Sequence, residues 1–261
     1  MSGPPHYGGR YRDKVAVVTG ASSGLGRRLA LDLAAAGAKV TALSRRAALL
    51  KELEPELGPV GDVVVCDVAD TGGFVDVLAD MAARRGPIDI LINNAGTDPG
   101  IRLADITVEN YRRTFDVNYF AAVAGTLAVL PAMLERSSGI IANVSSDGGR
   151  LPSPGPGAYP STKAALSAFT ESVSFRVERR GVHLHVVYPA WMPTEMGLGA
   201  LDRGLRKPPR LTRRSVEHVS ERVLRRMGCR SLDISASGLI DIAMVFRAVA
   251  PGAYHRLRRG W

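Results

Sequence analysis

The chain has 261 residues, of which 46% are hydrophobic and 23% charged, and its formal net charge is +9. This composition excludes a disordered or collagen-like chain and fits a globular protein of one or two domains. The charge is uneven, because residues 1–201 hold 20 basic and 20 acidic side chains, whereas residues 202–261 hold 14 basic and 5 acidic ones. This distribution argues against a uniformly basic nucleic-acid-binding protein, and no nucleic-acid partner is predicted.

The two cysteines, Cys66 and Cys229, are too few and too far apart for a disulfide framework or a metal site. Residues 1–12 are rich in Gly, Pro and Tyr and contain no apolar run, so we expect a flexible tail and no signal peptide. No run of about 18 apolar residues predicts a membrane-spanning helix. Together these features predict a cytoplasmic protein with reduced cysteines and no bound metal.

Short apolar runs alternate with helical patterns along most of the chain. The predicted strands are Val15–Val18, Ala38–Leu43, Asp62–Cys66, Ile88–Ile92, Ile140–Val144 and His183–Tyr188, with a candidate last strand at Ser231–Ile234. The helices predicted between them are Arg27–Ala36, Ala47–Leu57, Phe74–Arg85, Val108–Leu134 and Ser161–Arg180. Apolar strands separated by helices are typical of a parallel sheet covered on both faces. The predicted fold class is therefore α/β, a doubly wound parallel-sheet Rossmann fold in one domain over residues 13–261.

The pattern changes after Thr194. Gly197–Arg214 is rich in Gly, Pro and Arg and predicts a long loop or a short irregular helix. A helix follows at Ser215–Met227, and an apolar helix at Gly238–Ala250 is halted by Pro251. We expect residues 216–261 to form a basic and apolar helical extension with a basic-aromatic end.

A glycine-rich turn joins the first strand to the first helix. Glycines allow a tight turn and a close approach of the backbone to a pyrophosphate, which a helix N-terminus favours. The position between a strand and a helix favours a dinucleotide site over a merely flexible loop. The candidate cofactor residues in this turn are Gly20, Ser22, Ser23, Gly24, Leu25 and Gly26.

The end of the second strand bears on the type of nucleotide. A carboxylate there would bind a ribose 2′-hydroxyl and favour NAD, but this chain has Ser44, Arg45 and Arg46. A guanidinium suits a 2′-phosphate through paired, charge-assisted hydrogen bonds. These residues predict NADP(H) as the cofactor; the alternative is that both arginines are solvated residues at the start of a helix.

Tyr159 and Lys163 are four residues apart on a predicted helix and therefore share a face. A phenol with a pKa near 10 is a poor acid–base catalyst at neutral pH, and a nearby ammonium lowers that pKa. The pair is a candidate for general acid–base catalysis.

Five motifs occur in a fixed order: TGASSGLG at 19–26, NNAG at 93–96, Asn118, Ser146, and YPSTK at 159–163. Together they resemble the short-chain dehydrogenase/reductase family over about residues 13–196. Thirteen residues separate Ser146 from Tyr159, as the catalytic pair of that family requires. The resemblance implies an oxidoreductase that interconverts a carbonyl and a secondary alcohol by direct hydride transfer.

The resemblance also implies roles for four catalytic residues. Tyr159 would exchange a proton with the carbonyl or alcohol oxygen, and Lys163 would in addition hold the nicotinamide ribose. Ser146 would bond the substrate oxygen, with Ser145 as the adjacent alternative. Asn118 would fix a water in a proton relay to Lys163.

Further cofactor contacts follow from the same resemblance. Asp67 and Val68 would contact adenine, and the segment from Asn93 to Gly96 would line the cofactor channel. The residues that complete the predicted cofactor site are Asn94, Ala95, Gly96, Pro189, Met192 and Thr194. Ala190 departs from the family's usual glycine, and because glycine allows angles that alanine does not, the local turn is expected to differ.

Several alternatives stay open. Residues 197–215 are expected to be a substrate lid, and the substrate a small carbonyl or alcohol, hydrophobic or lipid-like. Family members commonly form homodimers or homotetramers. The basic C-terminal segment could contact a membrane surface, an acidic carrier, or its own domain. The alternative to an enzyme is an NADP(H)-binding redox sensor or scaffold.

Some residues outside the motifs have plain structural interpretations. His183 and His185 alternate on a strand and are expected to be structural. Asp147 could touch substrate or lie in a solvated turn, and Trp191 could wall the pocket or simply pack.

Overall fold

The computed structural model describes residues 7–152, 155–203 and 207–259. A seven-stranded, wholly parallel sheet with strand order β3-β2-β1-β4-β5-β6-β7 organises the chain. Its strands are β1 (Val15–Thr19), β2 (Lys39–Ser44), β3 (Asp62–Val65), β4 (Ile90–Asn93), β5 (Gly139–Val144), β6 (Val182–Tyr188) and β7 (Asp233–Ser235). The strand order reverses between β1 and β4, which opens a crevice at their carboxyl ends.

Helices cover both faces of the sheet. The α-helices are α1 (Gly24–Ala35), α2 (Ala47–Leu53), α3 (Thr71–Arg85), α4 (Val108–Phe115), α5 (Ala121–Glu135), α6 (Asp147–Arg150), α7 (Ala158–Val177), α8 (Glu195–Asp202), α9 (Val216–Arg226), α10 (Gly238–Val249) and α11 (Pro251–Arg259). A π-helical turn, Asp116–Phe120, joins α4 to α5, and 3-10 turns lie at Glu54–Leu57, Glu178–Arg180 and Arg210–Thr212. The predicted doubly wound Rossmann fold in a single domain is confirmed.

The central strands are apolar because both of their faces are buried. All five residues of β1 are buried, and its Val15 and Val17 belong to one core while Ala16 and Val18 belong to the other. Alternate side chains of a strand point to opposite faces, so one strand supplies two hydrophobic cores. The sheet therefore presents the ends of its strands, not their faces, to a ligand.

The helical stretch Val108–Glu135 is long and apolar enough to cross a membrane by length and composition. In the fold, α5 packs on α3, β4 and β5, and it buries Val129, Leu130 and Met133. The apolar composition of this stretch is that of a helix on a buried sheet.

The N-terminal segment departs from the expected flexible tail over the residues that the structure describes. Tyr11 is fully buried, and its hydroxyl donates a 2.5 Å hydrogen bond to the Leu224 carbonyl of α9. Arg10 donates to the Met227 carbonyl at 2.8 Å. Residues 7–12 are thus packed on α9 because an aromatic ring and a polar tip both find partners there; residues 1–6 lie outside the described chain.

His185 is structural, as predicted. Its Nδ1 lies 2.8 Å from the Ser231 carbonyl oxygen, and its Nε2 accepts a 2.9 Å hydrogen bond from the Gly228 amide. Burial lowers the pKa of His185 to about 4, so the ring is neutral and bridges β6 to the loop before β7.

The C-terminal segment is more regular than expected. Of the two forms predicted after Thr194, a long loop or a short irregular helix, the segment begins with a regular helix, α8, of eight residues; residues 204–206 lie outside the described chain. The predicted strand near the end starts two residues late, at Asp233. Pro251 halts α10 but also begins α11, because proline is tolerated in the first turn of a helix.

Candidate active site

A cleft of about 480 Å³ lies at the carboxyl ends of the strands, where the strand order reverses. Every residue predicted to bind cofactor lines it except Gly26. The lining members are Gly20, Ser22, Ser23, Gly24, Leu25, Ser44, Arg45, Arg46, Asp67, Val68, Asn94, Ala95, Gly96, Tyr159, Lys163, Pro189, Met192 and Thr194. The cleft thus brings together segments from six different parts of the chain.

The glycine-rich turn leaves no room for side chains. Gly20 has φ of 66°, and a Cβ there would lie 2.8 Å from the Cα of Ala95. A Cβ on Gly26 would lie 2.4 Å from the Gly20 carbonyl oxygen, which explains why Gly26 packs behind the turn instead of lining the cleft. The N-terminus of α1 has no side-chain cap at Ser23, so its amides remain available to an anion.

Asn94 ties the end of β4 to the end of β1. Its amide nitrogen Nδ2 donates to the Thr19 carbonyl at 3.0 Å, and the backbone amides of Asn94 and Ala95 both donate to Thr19 Oγ1. Asn93 is different from what the resemblance implied, because its side chain bonds Asn143 at 2.8 Å inside the core. The channel is therefore lined from Asn94 onward.

Arg46 lies across the mouth of the glycine-rich turn. Its Nε donates to Ser22 Oγ at 2.9 Å, its Nη2 donates to Ser23 Oγ, and its Nη1 pairs with Glu195 Oε2 at 2.8 Å. Ser44 Oγ donates to Ser22 Oγ at 2.8 Å. A guanidinium therefore sits beside the end of β2, where a carboxylate would select a free 2′-hydroxyl.

Arg45 lies on the other side of this position. Its Nη1 is 3.6 Å from Asp67 Oδ2, and its side chain is well exposed. An exposed pair of this kind contributes little by itself. Arg45 is therefore free to exchange Asp67 for a more highly charged anion.

Of the four predicted catalytic residues, Tyr159 and Lys163 line the cleft, whereas Ser146 and Asn118 lie beside them and are not part of its lining. Ser146 caps α6, where its Oγ accepts a hydrogen bond from the Gly148 amide, and its side chain also hydrogen-bonds Tyr159. Lys163 Nζ lies 5.8 Å from the centre of the Tyr159 ring. Ser145, the alternative to Ser146, is fully engaged with the Lys163 carbonyl and with Ser167.

The ionisation of Tyr159 differs from the expectation. Its pKa is raised to about 12, mainly by burial; the hydrogen bond with Ser146 acts in the lowering direction, and the charges of Asp98 and Asp147 add to the rise. Burial also lowers the pKa of Lys163 to about 8. The predicted lowering of the Tyr159 pKa by Lys163 is not seen: loss of hydration is the largest effect on the phenol, and Lys163 is not among the groups that shift its pKa.

Asn118 lies on the π-helical turn between α4 and α5, and it is buried. Its Nδ2 donates to the Thr97 carbonyl at 2.8 Å and its Oδ1 accepts from the Thr97 amide at 2.7 Å. A Cβ on Gly96 would lie 3.3 Å from Lys163 Nζ and 3.4 Å from Asn118 Oδ1, so both groups face the same glycine. A π-turn at such a position is a frequent feature of functional sites.

Pro189, Met192 and Thr194 form the wall opposite the glycine-rich turn. Thr194 Oγ1 accepts a hydrogen bond from the Gly197 amide and so caps α8, and its Cγ2 lies 3.2 Å from where a Cβ on Gly24 would be. The backbone of Trp191 is held by a hydrogen bond, because its carbonyl oxygen accepts from the Arg214 amide at 3.0 Å.

Ala190 adopts a left-handed backbone with φ of 65°, the conformation that glycine favours. We expect Ala190→Gly to raise the free energy of unfolding by about 1 kcal/mol, because it relieves the clash of Cβ with the carbonyl. Urea denaturation checks this, with Ala48→Gly on α2 as the matched control that should lower stability. A destabilised Ala190→Gly variant would contradict it.

Two ion pairs of α8 were not foreseen from the sequence. Arg203 Nη2 lies 2.8 Å from Asp98 Oδ2, and Glu195 pairs with Arg46, so both ends of α8 are bonded across the cleft. The partners of Arg203 and Glu195 lie 105 and 149 residues away along the chain. No local spacing signals such pairs.

Asp147 is not a solvated turn residue. Its Oδ1 is buried with no hydrogen-bond partner among the described residues, and burial raises the pKa of this carboxyl to about 6, while Arg150 lowers it. The Asp147 charge raises the pKa of Tyr159, and the charge of Asp241 on α10 raises the pKa of Asp147.

The sequence matches the short chain dehydrogenase family over residues 14–201. It is 33% identical to the mouse (Mus musculus) dehydrogenase/reductase SDR family member 7B over 94% of this chain and 80% of that protein. An uncharacterised oxidoreductase of Staphylococcus epidermidis is 35% identical over 76% of this chain and 86% of its own length.

Solved structures agree. A short-chain dehydrogenase from Streptomyces avermitilis superposes with a TM-score of 0.81 at 28% identity, covering 95% of this chain and 98% of that one. A single-residue variant of the actinorhodin polyketide ketoreductase, solved with NADPH, has a TM-score of 0.80 at 27% identity, covering 87% and 97%. The chain therefore belongs to the short-chain dehydrogenase/reductase family and is an oxidoreductase of that class.

Proposed function

We propose that the protein interconverts a carbonyl and a secondary alcohol with NADP(H), using Tyr159 as the general acid and base. One observation carries the proposal: Tyr159, which Ser146 hydrogen-bonds from beside the cleft, and Lys163 line the same cleft as Arg45 and Arg46. A single extended ligand could therefore reach both pairs.

The cleft fits a dinucleotide. Gly20 and Gly24 have left-handed backbones and allow a pyrophosphate to approach the α1 amides. Arg45 and Arg46 would hold the 2′-phosphate, and Val68 would pack on adenine. When bound, NADP(H) supplies or accepts the hydride. The solved neighbour with NADPH supports this choice of nucleotide.

In the reductive direction, Tyr159 gives its proton to the carbonyl oxygen. Its raised pKa keeps the phenol protonated at neutral pH, so the acid is ready in the resting site. Ser146, already hydrogen-bonded to Tyr159, would place the carbonyl oxygen between the two hydroxyls. The Lys163 ammonium, close to the ring, would stabilise the phenolate left behind.

We propose a bulky hydrophobic substrate. Met196 on α8 lines the cleft and is 40% exposed, and Leu198 on the same helix is also exposed. Apolar side chains at the mouth favour apolar ligands. The relation to an enzyme named a polyketide ketoreductase is consistent with this substrate class.

The proposed function is tested by following NADPH consumption with a panel of aldehydes and ketones of increasing length, with NADH as the matched comparison. We expect turnover with NADPH, and a kcat/KM that rises with apolar chain length. NADPH binding without consumption of any carbonyl would favour the alternative, a nucleotide-binding sensor or scaffold.

The pH dependence of reduction follows from Lys163. Its pKa is lowered to about 8, so the ammonium is present below this pH and lost above it, and kcat should fall as pH rises through this range. Tyr159 stays protonated throughout. Lys163→Arg keeps the charge and should move the fall to higher pH; an unmoved pH profile would assign the fall to another group.

We also propose that the protein is a cytoplasmic homodimer or homotetramer. Phe120, Leu127 and Phe175 are exposed along α5, α7 and the π-turn before α5, which is unusual for large apolar side chains of a monomer. Sedimentation velocity of the wild type and of Phe175→Ser would test the assignment of this face.

A further inference from the structure

The helix α10 is amphipathic in the reverse sense from an ordinary surface helix. Asp241, Met244 and Arg247 face the protein, whereas large apolar side chains face outward. Their spacing is that of one continuous helical stripe. The outward side chains, which we call the apolar stripe, are Leu239, Ile242, Val245, Phe246 and Val249.

This orientation is held by specific contacts with Arg150 of α6. Its Nη1 lies 2.8 Å from Asp241 Oδ1, its Nε donates to Met244 Sδ, and its carbonyl accepts from Arg247. The same guanidinium lies 4.2 Å from the centre of the Tyr188 ring and is 11% exposed. Turning the stripe inward would leave a buried arginine and a carboxylate unpaired, which is far costlier than exposing apolar side chains.

The exposure of the stripe is large enough to need an explanation. Ile242 is 66% exposed, Val245 64% and Val249 76%. The neighbouring 3-10 turn, which contacts α10, adds Leu211 at 70%. Contiguous exposed apolar surface on one element marks a docking surface more often than a free one.

Both segments that flank the stripe carry only positive charge. Residues 203–214 contain five arginines and one lysine, and residues 250–261 contain three arginines; neither stretch has an acidic residue. Lys207, Arg210 and Arg256 are exposed. An apolar stripe bordered by cations matches a surface that is apolar inside and anionic at its edge.

A second copy of the chain fits this surface less well. A two-fold interface brings the same patch of both copies together, so the arginines of one copy would face those of the other. Like charges placed opposite one another across an interface disfavour association. An anionic bilayer has the complementary charge and accepts the apolar stripe at the depth of its headgroups.

We propose that α10 and the basic segments beside it dock this protein on an anionic lipid bilayer, with the apolar stripe inserted at the headgroup level. The polar side of α10 keeps its contacts with Arg150 when the stripe inserts, so docking requires no refolding. The inference is independent of the reaction, because no residue of the apolar stripe lines the cofactor cleft.

The test is co-sedimentation of the full chain with vesicles of phosphatidylcholine mixed with phosphatidylserine, and with vesicles of phosphatidylcholine alone. We expect binding to the mixed vesicles and much weaker binding to the neutral ones. The double variant Val245→Ser, Val249→Ser removes two exposed apolar groups and should weaken binding by about tenfold or more.

A matched control keeps the test independent of general surface effects. Val65 is 58% exposed on β3, at the opposite edge of the sheet, and Val65→Ser should bind as the wild type does. Circular dichroism and NADPH binding check that each variant is folded. No binding to the mixed vesicles overturns the proposal, as does a dimer in sedimentation velocity that the double variant dissociates. Equal binding to neutral vesicles overturns the role given to the basic segments.

Discussion

Replacing Tyr159 with phenylalanine should lower kcat for carbonyl reduction by about 10²–10⁴-fold, the range typical of losing a general acid. The ring is half-buried and would keep its packing, and Ser146 would keep its hydrogen bond from the Gly148 amide. The variant should therefore fold and bind NADPH, which fluorescence titration measures. The loss should appear in kcat because the missing hydroxyl acts on the developing alkoxide.

Tyr119→Phe is the matched control. The Tyr119 ring packs between Phe115, Phe120 and Phe169, away from the cleft, so deleting its hydroxyl should leave kcat unchanged. Wild-type turnover by Tyr159→Phe would overturn the assignment of the general acid. A Tyr159→Phe variant that lost NADPH binding instead of turnover would point to a role in holding the cofactor.

Removing either arginine at the end of β2 should weaken NADPH binding far more than NADH binding. A charge-assisted hydrogen bond contributes about 1.5–3 kcal/mol, so Arg45→Ala or Arg46→Ala should raise the NADPH dissociation constant by about 10- to 150-fold. NADH lacks the 2′-phosphate, and its dissociation constant should change little. Titration calorimetry with both nucleotides measures the difference.

To bind a 2′-phosphate, each arginine must break a different ion pair. Arg45 releases Asp67, which is 3.6 Å away, whereas Arg46 releases Glu195 and keeps Ser22. Glu195→Gln should therefore tighten NADPH binding, and Arg84→Ala, an exposed arginine on α3, should leave it unchanged. Equal losses for the two nucleotides would mean that neither arginine recognises the 2′-phosphate.

Those features of the site that depend on local pattern could be predicted from the sequence. The turn from Gly20 to Gly26 follows a buried strand, so its position at the sheet edge is determined by a few neighbouring residues. Tyr159 and Lys163 share a helix face because of the helical repeat alone. The left-handed φ of Ala190 likewise falls where glycine was expected.

The remaining features depend on distant residues. Tyr11 is buried because α9, more than 200 residues later, offers the Leu224 carbonyl. The pKa of Tyr159 depends on how deeply this residue of α7 is buried, and the spacing of residues in the sequence carries no information on burial depth. The composition of α10 suggests a buried helix. Its polar side, however, contacts Arg150, which leaves the apolar side of α10 exposed.

The ion pair between Arg46 and Glu195 affects how the affinity for NADPH changes with ionic strength. Salt weakens the contact between an arginine and a phosphate, but it equally weakens the exposed ion pair that the phosphate must displace. The two effects oppose each other, so the affinity for NADPH should depend on salt less than a free arginine site would. Neutralising Glu195 removes the compensation, and the steep salt dependence of an unshielded phosphate site should then emerge.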